Sequence, residues 1–330
     1  MSNSHTILYF IFIVTLSSSI ATAHTCCSGG VPLANNIGGL PVGTGRTFQI
    51  SLTTDLNVLK TLKEGARTLD DHSRQRNTIT VLTKTSYSFT DHFFVEGLLS
   101  WVEQERSISQ VGGFKDFKQT QGIGDWVLLA NNKYVSQAGW EFIVGAGPKF
   151  PTGKSNLKDE SGLTLNADLQ PGSGAWDGIF VHRIIKTDLN KRTRAYFLNF
   201  IYRHTGTNDN YLNGQTYQFG NEWQLLTGIS DQLVLKSSLV SYGVNLRFRK
   251  AESDRFNEGL IPNTGGNFLY IMPVLSWHLR PNLILLLNAE LPLYTKVVGT
   301  QLAPSFRIHG GVYYSISGRK RKMASNIEGL

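Results

Sequence analysis

Ser276 and His278 stand two residues apart, a spacing that puts both on one face of a strand. A serine beside an imidazole base is the least that nucleophilic hydrolysis requires. The pair alternates with Leu275 and Trp277, so an apolar exterior would turn it inward, beside the turn at Arg280 and away from any lipid substrate. His72 and Ser73 are adjacent, which in a strand sends them to opposite faces, and they lie in a polar stretch. A pair drawn from two different strands leaves no trace in spacing. The histidines show no i, i+4 pair or short cluster that would hold zinc. Asp159, Glu160 and Asp209 are of the type that binds calcium, but residues 206–210 lack the Gly and terminal Glu of a calcium loop, and solvated loop charge accounts for them as well. No glycine-rich piece opens a helix, as a phosphate cradle must. We therefore expect no catalytic residue, no metal and no cofactor.

What remains is charge at alternate positions of otherwise apolar segments: Lys84, Glu96, Asp125, Glu141, Lys149, Arg203, Glu222, Arg247, Arg249, Glu290 and Arg307. In residues 140–149, Trp140, Phe142, Val144 and Ala146 share one side, while Glu141, Gly145, Gly147 and Lys149 share the other. A soluble sandwich would bury the apolar side, and a sheet closed in lipid would turn it outward and the charged side to a lumen. On the second reading these residues line the interior, either as a polar pore eyelet or as a salt-bridged plug.

The elements that carry them decide between the two. From residue 45 onward, about twelve alternating segments recur, joined by links that are long after each odd-numbered segment and short after each even-numbered one. The first sets Phe48, Ile50 and Leu52 against Gln49, Ser51 and Thr53, and the fourth starts at Gly122. Longer polar links span 57–74, 108–121, 151–175, 206–214 and 251–265, and the eighth segment begins with Tyr217 and Phe219. The sequence thus predicts an all-β fold, a transmembrane antiparallel up-and-down barrel with short periplasmic turns and long extracellular loops. Trp101, Trp126, Trp140, Trp176, Trp223 and Trp277 sit mostly near segment ends, as interfacial girdles require.

Of the 330 residues, 17% are charged and 41% apolar, lean in charge for a soluble protein. Residues 6–20 are an apolar run followed by Ala21-Thr22-Ala23, so 1–23 reads as a cleaved export signal. Residues 24–44 then form a periplasmic N-terminal segment, 45–316 the barrel and 317–330 a basic tail. Cys26 and Cys27 are neighbours and cannot staple distant parts of a fold. The net charge of +8 includes the cluster at Arg319-Lys320-Arg321-Lys322, which behind an export signal points to solvent or anionic headgroups rather than nucleic acid. The expected surroundings are outer-membrane lipid, small-molecule solutes and the barrel-assembly machinery.

Three motifs carry a resemblance: Gly122-Ile123-Gly124-Asp125, Gly145-Ala146-Gly147-Pro148-Lys149-Phe150-Pro151-Thr152-Gly153 and Gly172-Ser173-Gly174-Ala175-Trp176-Asp177. In that order the chain resembles the outer-membrane barrel proteins named for the meta-pathway of phenol degradation, most sharply over 122–177. The resemblance implies a Gram-negative outer-membrane transporter that is not an enzyme and admits small, often aromatic or hydrophobic, molecules. It transfers no site residues. A closed structural or loop-binding barrel, or an outer-membrane lipid hydrolase, are the alternatives.

Overall fold

The computed structural model describes residues 45–109, 112–235 and 238–317. The expected signal segment, the stretch 24–44 with both cysteines and the tail from 318 lie outside the described residues.

Side-chain alternation builds the wall. In Thr47–Glu64, Phe48, Ile50 and Leu52 are exposed while Ser51 and Asp55 are buried. Eleven similar walls follow in chain order: Arg74–Ser88, Phe93–Ser109, a fourth made of Lys115–Ile123 and Trp126–Gln137, then Trp140–Phe150, Asp177–Thr187, Ala195–Thr205, Glu222–Leu235, Ser238–Ala251, Gly266–Arg280, Leu283–Val297 and Thr300–Ser317. Each pairs antiparallel with the next, and the twelfth strand returns to the first from Thr47↔Ser317 to Glu64↔Thr300. The result is the expected closed 12-strand barrel. Closure satisfies every strand edge, which a sheet facing hydrocarbon cannot leave open.

Leu225, Val244, Leu246, Leu275, Leu287 and Leu291 point outward with 39–53% exposure, and all six tryptophans are exposed as well, at 36–60%. Trp126 stacks on Phe150 at 5.0 Å, and Phe150 meets Trp176 at 4.9 Å, near the long-loop end. Trp140 and Phe142, 5.7 Å apart, sit near the short-turn end. Aromatic rings therefore mark both rims, as the sequence predicted.

Strand lengths depart from expectation. The first strand runs to Glu64, absorbing the first eight residues of the loop expected at 57–74. Register shifts at Val58, Leu59 and Thr61 break the two-residue period there, so Val58, Leu59 and Leu62 all become buried and alternation is lost. The link expected at 108–121 is mostly strand, because Lys115–Ile123 pairs with Trp101–Ser109 through residues polar on both faces. The fourth wall starts at Lys115, not Gly122, and breaks at Gly124-Asp125.

The links at 206–214 and 251–265 also carry structure. Thr207–Tyr211, Gln215–Gln218, Arg255–Phe256 and Gly259–Leu260 make a separate 4-stranded sheet at the long-loop end. Tyr217 and Phe219 belong to the core of that cap with Tyr211 and Ala167, and the eighth wall begins only at Glu222.

Candidate functional site

The link 151–176 turns back into the barrel in its second half, where residue 165 and residues 167–173 are buried. Its short 3-10 turn, Ala167–Leu169, is buried. Asp168 Oδ2 accepts a hydrogen bond from Arg76 Nη1 of the second strand at 2.8 Å. Arg76 also donates to the Asp168 carbonyl and to Gln104 of the third strand. Thr120 donates to the Leu169 carbonyl at 2.5 Å. Gln170 ties the loop to itself, accepting from Leu157 N at 2.9 Å and donating to the Leu157 and Leu165 carbonyls at 3.0 Å. Arg76 has no exposed surface, and its buried guanidinium is tolerable because both terminal nitrogens are hydrogen-bonded, one of them to a carboxylate.

The three motifs of the resemblance meet where this loop is anchored. Asp125 accepts from Lys149 Nζ at 2.6 Å, Gly153 N at 3.1 Å, Ser173 N at 2.9 Å and Ser173 Oγ at 2.8 Å. Lys149 Nζ also lies 3.2 Å from Asp177 and donates to the Ala175 carbonyl. Gly153 and Gly172 touch backbone to backbone: a Cβ on Gly172 would come within 2.5 Å of the Gly153 carbonyl carbon. Gly174 has φ +70, and its added Cβ would lie 2.3 Å from Asn208 Nδ2. Those glycines are required by close approach, which explains their motif spacing.

The remaining charges expected inside form further buried groups. Glu96 lies 2.6 Å from Lys84 Nζ, pairs with Arg183 of the sixth strand and accepts from Asn131 at 3.2 Å. Glu222 lies 2.8 Å from Arg249 and 3.4 Å from Arg203, while Arg247 pairs with Glu290 and donates to Gln224 at 3.3 Å. The Arg247 and Arg249 guanidiniums sit over Tyr270 and Phe268. Arg307 lies 2.7 Å from Asp55, which also pairs with His309. Glu141 departs from this pattern: it is half-buried at the short-turn end, 3.5 Å from Lys133.

Arg76, Asp55, Asp168, Asp177, Arg183 and His309 complete these groups and were not singled out in the sequence. Asp55 lies two residues past Thr53 on the same face, and Arg76 shares the parity of Lys84, so both continue segments that run longer than expected, while the facing of the sixth strand, with Arg183, is irregular. Asp168 is placed by tertiary packing alone. Between the charges runs an apolar band of Leu82, Leu98, Val127, Leu129, Ile179, Val181 and Ile201, each nearly fully buried. Its signal was present: Leu82, Leu98, Val181 and Ile201 lie two residues from Lys84, Glu96, Arg183 and Arg203, hence on the same face.

Two cavities flank this filled zone. At the short-turn end, a chamber of about 350 Å³ is lined by polar residues, Ser230, Gln232, Ser241, Asn245, Ser276 and His278, interspersed with Ile185, Phe197, Val274, Ile284 and Leu286. Ser276 and His278 do face inward, as alternation required. The hydrogen bond to His278 Nε2 involves Ser241 Oγ of the neighbouring strand, at 2.9 Å. Glu141 lines the same chamber. At the long-loop end, a cavity of about 370 Å³ lies among Tyr211, Tyr217, Phe256, Leu260 and the 166–168 backbone. Beneath it Tyr217 donates to Asp254 at 2.7 Å, and burial pushes the Asp254 carboxyl above its ordinary pKa. Among the described residues no cluster of His, Cys, Asp or Glu could hold a metal ion.

No protein-family model and no curated protein sequence matches the chain. Solved structures do. An outer membrane channel from Pseudomonas putida F1 is 14% identical with TM-score 0.66, covering 84% of this chain and 97% of that one. The beta domain of the Bordetella autotransporter BrkA is 11% identical with TM-score 0.43, covering 83% of this chain and 100% of that one. A Pseudomonas aeruginosa FadL homologue is 9% identical with TM-score 0.37, covering 82% of this chain and 90% of that one. The likeness to the first is one of fold, and the other two carry no argument at those scores. The fold is that of the outer-membrane β-barrels of Gram-negative bacteria.

Proposed function

We propose that the protein is a passive outer-membrane channel for small molecules, with its short turns in the periplasm and its long loops outside. The observation that carries this reading is the chamber of about 350 Å³ inside the barrel, lined by polar and apolar side chains together. A barrel that served only as a scaffold has no need of such a space beneath its packed middle. The inward loop at 151–176 and the buried ion pairs then form the closed section of the passage, and solute crosses when the loop is displaced. The resemblance to the meta-pathway transporters supports small aromatic or hydrophobic solutes as cargo.

A scaffold or loop-binding role is the second reading, and the burial of Lys84, Glu96 and Arg183 favours it. Lipid hydrolysis is disfavoured: Ser241 and His278 lie inside the lumen, and the Glu141 carboxylate that shares their chamber pairs with Lys133. Planar-bilayer recordings separate channel from scaffold. Current steps above the lipid baseline support the channel, and their absence even after the loop is released supports the scaffold.

A further inference from the structure

We infer that the periplasmic chamber is a binding site for small organic anions, a carboxylate carried on a compact apolar body. Arg192 lines it and has no hydrogen bond or ion pair among the described residues. Its place is fixed by its neighbours. Asp231 of the eighth strand accepts from Lys191 Nζ at 2.5 Å, Thr193 Oγ1 at 2.7 Å and Arg194 Nη2 at 3.1 Å. Asp188 Oδ1 accepts from the backbone of Asn190 at 2.8 Å and of Lys191 at 3.2 Å. The turn is thus held on both sides of Arg192, and the other cations in it are spent on Asp231.

The lining is complementary to such an anion in charge and in shape. Glu141, the chamber's carboxylate, is offset by Lys133 at 3.5 Å, which leaves Arg192 as the uncompensated charge of the lining. A guanidinium binds carboxylate with two parallel donors, and the Ser241–His278 pair offers a further donor. Beside that pair, Ile284 and Leu286 are the cross-strand neighbours of His278 and Ser276, and with Phe197 they give apolar surface for the body of the solute. The volume of about 350 Å³ falls within the range of small-ligand sites.

This inference rests on the channel reading for its meaning in transport, and binding is measured apart from passage. Full-length protein in lipid nanodiscs is titrated calorimetrically with hexanoate and with its neutral isostere hexanamide. Saturable hexanoate binding is expected, weakened about fivefold by Arg192→Gln, with hexanamide unaffected by that change. Arg192 is exposed in a turn, so the variant is expected to fold, and a retained heat-modifiable gel shift checks this. Equal binding of hexanoate and hexanamide, no saturable hexanoate binding, or no effect of Arg192→Gln would each overturn the inference. Bilayer currents are recorded on the same preparations. Conductance without hexanoate binding leaves the channel standing and removes the site, whereas hexanoate binding with no conductance even in the loop-released Asp168→Ala variant keeps the site and removes the channel.

Discussion

Asp168, on a loop that follows the fifth strand, makes a 2.8 Å ion pair with Arg76 of the second strand, whose side chain has no exposed surface. A contact between residues so far apart in the chain fixes the loop inside the barrel. Removing one partner leaves the other buried and charged, at a cost of about 3–5 kcal/mol. Asp168→Ala is therefore expected to release the loop while the hydrogen-bonded wall stays intact. Limited proteolysis checks it: cleavage within 151–176 rises at least about tenfold, and the heat-modifiable shift of the barrel persists. Unchanged cleavage would show that the pair does not hold the loop.

A sharper test compares a motif glycine, Gly172, with Gly178 just past the motif. Gly172→Ala places a methyl 2.5 Å from the Gly153 carbonyl carbon, whereas a Cβ at Gly178 meets nothing within 4 Å. Gly172→Ala is expected to expose the loop to protease and lower the unfolding midpoint, with a loss of about 1–3 kcal/mol from overpacking. Gly178→Ala is expected to be near neutral. Equal effects at both positions would contradict the close packing of the two loop ends.

Buried charge inside the barrel should matter more than charge at its rim. Glu96→Gln leaves Lys84 and Arg183 without their shared carboxylate and is expected to cost about 3–5 kcal/mol. Glu141→Gln breaks a 3.5 Å contact at the half-buried rim and is expected to cost at most about 1 kcal/mol. Guanidinium unfolding of the folded barrel ranks the two, and the reverse order would refute this account of the interior.

Acid should loosen the outer loop locally. Lys118 Nζ, at 2.9 Å, holds the Asp159 carboxyl below its ordinary pKa of 3.8, helped by Ser161 and the Leu163 amide. A depressed carboxylate pKa stabilises the folded loop above the ordinary value, and that stability fades as pH falls from about 4 toward the folded-state value. Amide exchange in residues 157–165 should accelerate through this window in the wild type. Asp159→Asn should remove the pH dependence, and its persistence in that variant would place the effect elsewhere.

The barrel was legible because outward positions such as Phe48, Ile50 and Leu52 keep a strict two-residue period, and because link lengths alternate. The ends of strands were not. Lys115–Ile123 is polar on both faces, with even its buried side carrying Thr120, so no apolar period marks it, and the bulge near Leu59 erases the period where the wall is still present. Of the charged positions that parity expected to line the lumen, all but Glu141 stand in buried ion-pair groups. Whether they face an open eyelet or a filled middle depends on Arg76, Asp168 and the fold of 151–176, which no local pattern encodes. Likewise, parity turned Ser276 and His278 inward, but the partner of His278 came from a neighbouring strand.

The account stands on a passage through this barrel that the loop of Asp168 keeps shut. Single-channel current across a planar bilayer, recorded for wild type and for Asp168→Ala, measures it directly. The account predicts small or infrequent steps in the wild type and larger or more frequent ones in the variant. Bilayers that stay at the lipid baseline with both proteins, each verified as folded, would contradict it.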